Sequence, residues 1–318
     1  MLVAENQTGQ AVEAIHVKQS NGESFSCPGC KQPVVLKRGR VKMPHFAHSK
    51  RAQCNSFSEG ETMEHLQNKA LMQQWSGGQL EAYLPKLQQR PDVLWQQVAI
   101  EVQCSRLSLE RLVERVVNYR KHGYTSWWLL GQHFIPKKHW NKLQQGCSYF
   151  TKNLGTHLWT IQQGKIVLYY QVRQHFRYGC LYQQQVWTQE NHLREILGFQ
   201  VQQELKMTWD EAEYQQYIQR KLLQKDPLVL TLQALLYAKR LLIQQLAPWC
   251  YASSAYFFYF QHRLLYLRAM FIETTHFEEW LITLKQLSYP WPFPLANQSI
   301  ILWEVYQECQ RLARKSSK

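Results

Sequence analysis

Two short acidic motifs constrain this chain more than any other feature. Residues 90–93 read Arg-Pro-Asp-Val and residues 100–103 read Ile-Glu-Val-Gln, so that Asp92 and Glu101 lie on two neighbouring predicted strands. Glu101 and Gln103 alternate along one strand and point to the same face. Divalent cations that promote phosphodiester hydrolysis need closely spaced oxygen ligands. The spacing predicts a nuclease core in which Asp92 and Glu101 bind magnesium or manganese.

The residue two positions after Glu101 would orient or activate the attacking water in such a site. Gln103 occupies that position, and an amide cannot act as a general base. It can only hold a water or an oxyanion by hydrogen bonding. The simpler alternative for Asp92 is a turn or cap residue, since it follows a proline. For Glu101 the alternative is an ordinary position on a solvated strand face.

Helices on either side of these strands add charged side chains. Glu61, His65 and Lys69 recur every four residues in a predicted helix over 59–75, so they share one face. Glu61 and His65 could complete a metal shell, and Lys69 could hold a phosphate. We predict contacts with the DNA backbone for the cationic and aromatic side chains of this region: Lys69, Arg90, Arg115 and Tyr119. The alternatives are an ordinary charged helix surface and, for the last two residues, a surface and a core-edge position.

A group of cysteines and histidines near the beginning of the chain predicts a zinc site. Cys27 and Cys30 have the spacing of a zinc knuckle, and His45, His48 and Cys54 follow. Tetrahedral zinc takes four ligands, so one of the five candidates is left out. We favour Cys27, Cys30, His48 and Cys54, with His45 as the substitute. The alternative is a turn that contains incidental cysteines and no metal.

Composition narrows the partners and the compartment. The 318 residues include 37 Lys and Arg against 23 Asp and Glu, a formal charge of +14. This excess favours DNA first and an anionic membrane second, although charge also serves solubility. The chain has no run of about 20 apolar residues and no signal-peptide pattern, so we expect no membrane span. The eight cysteines do not form a disulfide-scaffold pattern, which indicates a reducing, cytoplasmic setting.

We predict three parts, namely a zinc-finger-like basic module over 1–57, a nuclease-like domain over 58–150, and a hairpin with a mostly helical domain over 151–318. The first part is too small for a large core and would benefit from a metal. The predicted strands cover 80–84, 92–95, 98–103, 125–130, 157–162 and 166–172. The predicted helices cover 59–75, 109–122, 210–224, 228–246, 255–272 and 300–312. A strand, helix and strand over 98–130 predict a right-handed parallel crossover.

Several of these motifs together resemble the competence protein CoiA-like family. The resemblance rests on Cys27–Cys30, on residues 44–48 (Pro-His-Phe-Ala-His), 61–65 (Glu-Thr-Met-Glu-His), 90–93 and 100–105 (Ile-Glu-Val-Gln-Cys-Ser), and on Arg115, Asn118, Tyr119 and the strand at 127–130. It implies a restriction-endonuclease-like α/β core of the PD-(D/E)xK type with a mixed sheet. It also implies a role in natural transformation, promoting recombination of incoming single-stranded DNA.

The resemblance assigns roles to individual residues. Asp92 and Glu101 would be the metal-binding acids, Gln103 would stand at the position of the usual lysine, and Glu61 and His65 would belong to the first core helix. Three functions follow, of which a metal-dependent deoxyribonuclease acting on single-stranded or branched DNA is the first. The second is a non-catalytic DNA-binding recombination mediator that keeps the nuclease fold. The third is a zinc-bearing adaptor that recruits recombination proteins.

Overall fold

The computed structural model describes residues 1–18, 22–39, 43–48, 54, 62–188, 193–274 and 276–316. The strands are β1 (Val3–Glu5), β2 (Ala11–Glu13), β3 (Phe25–Ser26), β4 (Pro33–Lys37), β5 (His45–His48), β6 (Gln79–Leu80), β7 (Val93–Trp95), β8 (Val98–Gln103), β9 (Thr125–Leu130), β10 (Tyr149–Thr151), β11 (Gly155–Gln162), β12 (Lys165–His175) and β13 (Gly179–Trp187). The helices are α1 (Met63–Ser76), α2 (Leu109–Lys121), α3 (Lys142–Gly146), α4 (Leu193–Leu197), α5 (Glu211–Leu223), α6 (Pro227–Tyr237), α7 (Phe257–Phe260), α8 (Arg263–Ile272), α9 (Phe277–Leu284) and α10 (Gln298–Ser316).

The first five strands form a small sheet in the order β2-β1-β3-β4-β5. Its buried core is a handful of side chains: Met1, Ala4, Ala14, Phe25, Cys27, Val34 and Phe46. The rings of Phe25 and Phe46 lie 5.0 Å apart between centroids at the centre of this core. Such a core is small for an independent module, and this agrees with the expectation that the segment needs additional stabilisation.

A larger mixed sheet has the order β13-β12-β11-β9-β8-β7-β6. Its centre is parallel, because β9 pairs parallel with both β8 and β11, and the flanking pairs are antiparallel. The predicted crossover from β8 through α2 to β9 is confirmed, with Val98 paired to Thr125 and Gln103 paired to Leu130. Both β8 and β9 are almost wholly buried, as central parallel strands are when helices cover both faces.

Helices α1 and α2 lie on opposite faces of this sheet. Leu66 and Met72 of α1 pack in one cluster with Ile100 and Val102, whereas Leu112 and Val116 of α2 pack in another with Trp128 and Leu130. Successive side chains of a strand alternate between the two faces. Because Ile100 and Val102 face α1, the intervening Glu101 and the following Gln103 face α2.

Two predicted elements near the acidic motifs have different limits. The helix predicted from residue 59 begins at Met63, where the Thr62 hydroxyl caps it by accepting from the His65 N–H at 3.2 Å. The strand predicted over 80–84 stops at Leu80, because Glu81 adopts a left-handed backbone with φ of 51°. The predicted strand and helix over 98–103 and 109–122 are confirmed to within one residue.

The predicted hairpin is confirmed and belongs to the large sheet. Gln163 and Gly164 both have positive φ, 47° and 78°, as a two-residue hairpin turn requires. Strand β11 then pairs with β12 on one side and with β9 on the other, through Thr160 and Leu130. The sheet therefore continues past residue 150, the predicted limit of the nuclease-like domain.

The C-terminal part is helical, as predicted, but two of its predicted helices have different limits. The predicted helix over 255–272 is divided into α7 and α8 at Gln261, whose φ is 50°. The helix predicted over 228–246 ends at Tyr237. All the aromatic side chains of residues 256–260 are buried, so this run fills the core and is not a surface for stacking bases. In the described ranges, no helix has the length and apolar character needed to cross a membrane.

The buried side chain of His157 in β11 makes the stability of the fold depend on pH. It is 4% exposed, stacks on Tyr149 with ring centroids 5.4 Å apart, and places Nδ1 2.9 Å from the Gly155 carbonyl oxygen. Burial lowers its pKa to about 4. In the unfolded chain this histidine has a pKa of about 6.5. The unfolded state therefore binds more protons than the folded state between pH 6.5 and pH 4, and the free energy of unfolding decreases as the pH falls through this interval.

We expect this histidine alone to cost about 2 to 3 kcal/mol of stability between pH 7 and pH 4.5. His157→Phe keeps a ring and cannot take up the proton, so its urea unfolding should lose less stability over the same interval. His16→Phe, at an exposed position, is the control and should behave as the wild type. Equal losses in His157→Phe and the wild type would contradict the assignment.

Candidate active site

Asp92 lies just before β7, next to the acidic residue of β8. The ladder between β7 and β8 ends at the pair of Val93 and Ile100, so Asp92 lies one residue outside it. Asp92 Oδ2 accepts from the Val102 N–H at 2.7 Å and lies 3.2 Å from His65 Nε2. Burial alone would raise the pKa of Asp92, but nearby Lys69, His65 and the Val102 N–H hold it well below its usual range. Asp92 is therefore a stable carboxylate.

Glu101 is 2% exposed and faces α2, where two side chains bind it. Its Oε1 accepts from the Tyr119 hydroxyl at 2.5 Å and from the Arg115 guanidinium. Burial raises the pKa of Glu101 to about 7 although Arg115 opposes the change, and the negative charge of Asp92 raises it further. The two acids thus interact electrostatically but have pKa values on opposite sides of the ordinary range, an arrangement found at catalytic carboxylate pairs.

Gln103 is buried on the same face as Glu101, as the strand spacing predicted. Its amide nitrogen donates to the Ser105 carbonyl oxygen at 3.0 Å and lies 3.2 Å from the Ser105 hydroxyl. These bonds direct the amide toward the segment that follows β8. Its predicted role in positioning a water stays a prediction.

Helix α1 brings His65 and Lys69 to Asp92 from the opposite side. The two residues are one turn apart, so both reach the same carboxylate, with Lys69 Nζ 3.2 Å from Asp92 Oδ1. Lys69 is 1% exposed. A buried ammonium group therefore contacts the candidate metal-binding acid from α1, although Gln103 leaves no lysine on β8. Glu61, predicted on this face, lies outside the described residues.

Three of the side chains predicted to contact DNA are buried in this structure, and their contact with DNA stays a prediction. Lys69 is 1% exposed, Tyr119 is 0% exposed, and the side chain of Arg90 is 5% exposed. Each binds an internal carboxylate, which a charged or polar group needs when it is removed from water. Arg115 keeps 20% of its side chain exposed while it pairs with Glu101 and lies over the Trp128 ring.

Glu81 belongs to this site and was not selected from the sequence. Its carboxylate lies 2.6 Å from Lys69 Nζ and 3.1 Å from Arg90 Nη1. The sequence feature that could have identified Glu81 is that it is the single charged residue of segment 80–84, Leu-Glu-Ala-Tyr-Leu. The sequence pattern predicts a strand there and assigns no role to Glu81.

The zinc-site candidates come together in the N-terminal module. The ligand atoms of Cys27, Cys30, His48 and Cys54 all lie within 4.8 Å of one another. Tetrahedral zinc with bonds of about 2.0–2.3 Å places its ligand atoms roughly 3.5–3.8 Å apart. Cys27 Sγ lies 4.0 Å from Cys54 Sγ, and Cys30 Sγ lies 3.3 Å from His48 Nε2. This cluster could therefore bind a metal such as zinc.

His45, the substitute ligand, stands outside the cluster. It is three residues from His48 on β5, so the two side chains point to opposite faces of the strand. Its Nδ1 lies 2.9 Å from the Met43 carbonyl oxygen. The strand alternation thus decides between the two histidines.

A mixed sheet flanked by helices, with paired acids between them, defines a nuclease-like domain, and comparison with known proteins agrees. Residues 61–211 match the family described as "Competence protein CoiA, nuclease-like domain", and residues 7–57 match "Competence protein CoiA, N-terminal domain". The chain belongs to the competence protein CoiA family. It is 31% identical over 116 residues to the competence protein CoiA of Bacillus subtilis (strain 168), an alignment that covers 34% of this chain and 31% of that relative. The match thus spans about a third of the relative's length. No solved structure matches this chain significantly.

We expect protein purified without chelator to contain about one equivalent of zinc per chain. Cys30→Ser should lower this content to less than half, because three ligands bind zinc less tightly than four. His45→Ala is the matched control and should keep its zinc, since this histidine lies outside the cluster. Elemental analysis of the three proteins decides the matter, and a metal-free wild type would contradict the site.

Proposed function

We propose that this protein processes DNA during natural transformation and that its nuclease-like domain hydrolyses phosphodiester bonds with magnesium or manganese. One observation carries the proposal: Asp92, just before β7, and Glu101 on β8 are both buried and interact electrostatically, and the Lys69 ammonium lies against Asp92. Membership of the competence family supports the biological setting.

The donor chemistry of the site suits a hard divalent cation. Asp92 and Glu101 are the residues that would hold it, and magnesium commonly takes one or two carboxylates and keeps several waters. The cation would lower the pKa of a bound water and neutralise developing charge on the phosphate. The pKa of about 7 for Glu101 means that its ligand oxygens are largely ionised above neutral pH.

Side chains of α1 would supply the positive charge that Gln103, in place of a lysine, cannot provide. Lys69, held against Asp92 from α1, would place positive charge beside the reacting phosphate, the task of the lysine usually found on the strand of such sites. His65 would hold the orientation of Asp92 through its contact with Oδ2. Gln103 would contribute hydrogen bonding alone.

A second function, a non-catalytic DNA-binding recombination mediator, is favoured by the charge balance of the same site. Three carboxylates, those of Glu81, Asp92 and Glu101, are matched by three cations, those of Lys69, Arg90 and Arg115. When Glu101 is ionised, these charges balance without a metal. A cation would have to compete with these ion pairs for both acids.

We extend the proposal to partners and location. The formal charge of +14 supports binding to DNA, single-stranded or branched, in the cytoplasm. Exposed cations of the N-terminal module, such as Lys37, would contact phosphates. Recombination proteins are proposed partners. A purely adaptor role, in which zinc only shapes a protein-binding module, would show no DNA binding at moderate salt.

The nuclease and the mediator are separated by one assay. Wild-type protein with magnesium or manganese should cut single-stranded or branched DNA, and Asp92→Asn and Glu101→Gln should each lower the rate at least a hundredfold. DNA affinity, measured without metal, should change less than threefold. Glu114→Gln, which removes a carboxylate on the exposed side of α2, is the control and should cut normally.

A wild-type protein that binds DNA but does not cut it with either metal, at pH 8 where Glu101 is ionised, would refute the nuclease and leave the mediator. Cutting that persists in both acid variants would point to contaminating activity, and this would also refute the proposed site.

A further inference from the structure

The Glu81 carboxylate of the nuclease-like domain contacts two cations and two backbone N–H groups. It follows β6 with a left-handed φ of 51°, and its side chain is fully buried. A non-glycine residue in this conformation is uncommon and is retained only where surrounding contacts require it. The contacts of Glu81 lie on two sides, one in the candidate active site and one in the N-terminal module.

On the active-site side, Glu81 holds both the main chain and the cation next to Asp92. Its backbone N–H donates to the Asp92 carbonyl oxygen at 2.9 Å. Its Oε1 lies 2.6 Å from Lys69 Nζ, closer than Asp92 itself, and its Oε2 lies 3.1 Å from Arg90 Nη1. The position of the Lys69 ammonium beside Asp92 therefore depends on Glu81.

On the other side, Glu81 binds the first strand of the N-terminal module. Its Oε1 accepts from the Leu2 N–H at 2.9 Å, and its Oε2 accepts from the Val3 N–H at 3.1 Å. The side chains of Leu2 and Val3 are buried in the same cluster as Leu66 and Leu71 of α1. Strand β1 is thus shared between the small sheet and the core of the large one.

We propose that Glu81 is a positioning residue that couples docking of the N-terminal module to the placement of Lys69 at Asp92. Oε1 accepts from the N–H of Leu2, just before β1, and Oε2 from the N–H of Val3 in β1, and each oxygen also contacts one cation of the active site. Displacing the segment of Leu2 and Val3 would remove two of the four contacts of this buried carboxylate, and this is unfavourable enough to shift the ion pairs as well. The coupling stands on these contacts alone, whereas its catalytic consequence rests on the proposed nuclease function.

The coupling predicts that one substitution alters two sites far apart in sequence. In Glu81→Gln, we expect amide exchange of Leu2 and Val3, followed by NMR, and acetylation of Lys69, followed by mass spectrometry, each to accelerate at least tenfold. Glu308→Gln is the matched control, because Glu308 is also buried and paired with an arginine, Arg268, but lies in the C-terminal part. It should leave both rates within twofold.

Should Glu81→Gln fail to fold, a second variant keeps the test open. Glu81→Gln combined with Arg90→Met removes one negative and one positive charge, so the site stays neutral while both N–H contacts lose their carboxylate. The same accelerations are expected. A response at only one of the two sites, or an equal response in Glu308→Gln, overturns the proposal.

Linkage requires the reverse effect, in which β1 controls Lys69. Leu2→Pro and Leu2→Ala both reduce apolar volume, but only proline removes the N–H that Glu81 accepts. Lys69 acetylation should therefore rise at least fivefold more in Leu2→Pro than in Leu2→Ala. Equal rates in the two variants would show that β1 acts through packing alone and would overturn the proposal.

The catalytic consequence has its own readout. Glu81→Gln should lower the cleavage rate at saturating DNA at least tenfold with KM changed less than threefold, since Lys69 is misplaced while the DNA-binding surface is intact. A change in KM alone would contradict the positioning role. If the wild type does not cut DNA, only the proposed nuclease fails, because exchange and acetylation still decide the coupling.

Discussion

The nuclease-like domain depends on charges that are buried in pairs. Removing an ion from water costs several kcal/mol even after the protein relaxes, so a carboxylate inside a sheet persists only with a partner. Glu81, Asp92 and Glu101 all lie inside, and each has a cation from another element. These pairs connect β6, β7 and β8 to α1 and α2 more specifically than apolar packing does.

Apolar packing supplies the frame that makes this network geometrically possible. Strands β8 and β9 are covered by α1 on one face and α2 on the other, and alternation along β8 directs Ile100 and Val102 to α1 and Glu101 to α2. Asp92 lies just before β7, where it meets side chains of α1. The two acids are therefore adjacent on the sheet but are neutralised from opposite sides.

The N-terminal module combines two kinds of stabilisation. Its own core is small, and the ligand atoms of three cysteines and one histidine lie close enough together that they could bind a metal. Its first strand also enters the core of the larger domain through Leu2 and Val3. The folding of this module is therefore tied to the larger domain. Glu81 supplies polar contacts in the interface between them.

The sequence by itself determined the parts whose signals are local. Strand and helix periodicity located β8, α2 and β9, the hairpin turn followed from Gln163 and Gly164, and cysteine spacing indicated a candidate metal cluster. The tertiary structure decided what Lys69, Arg90 and Tyr119 bind, that His48 rather than His45 joins the cysteines, and that Glu81 belongs to the site. Those outcomes depend on which buried charges meet across elements distant in sequence, and no local pattern encodes that, because a cationic side chain has the same sequence signal whether it meets a phosphate or a buried carboxylate.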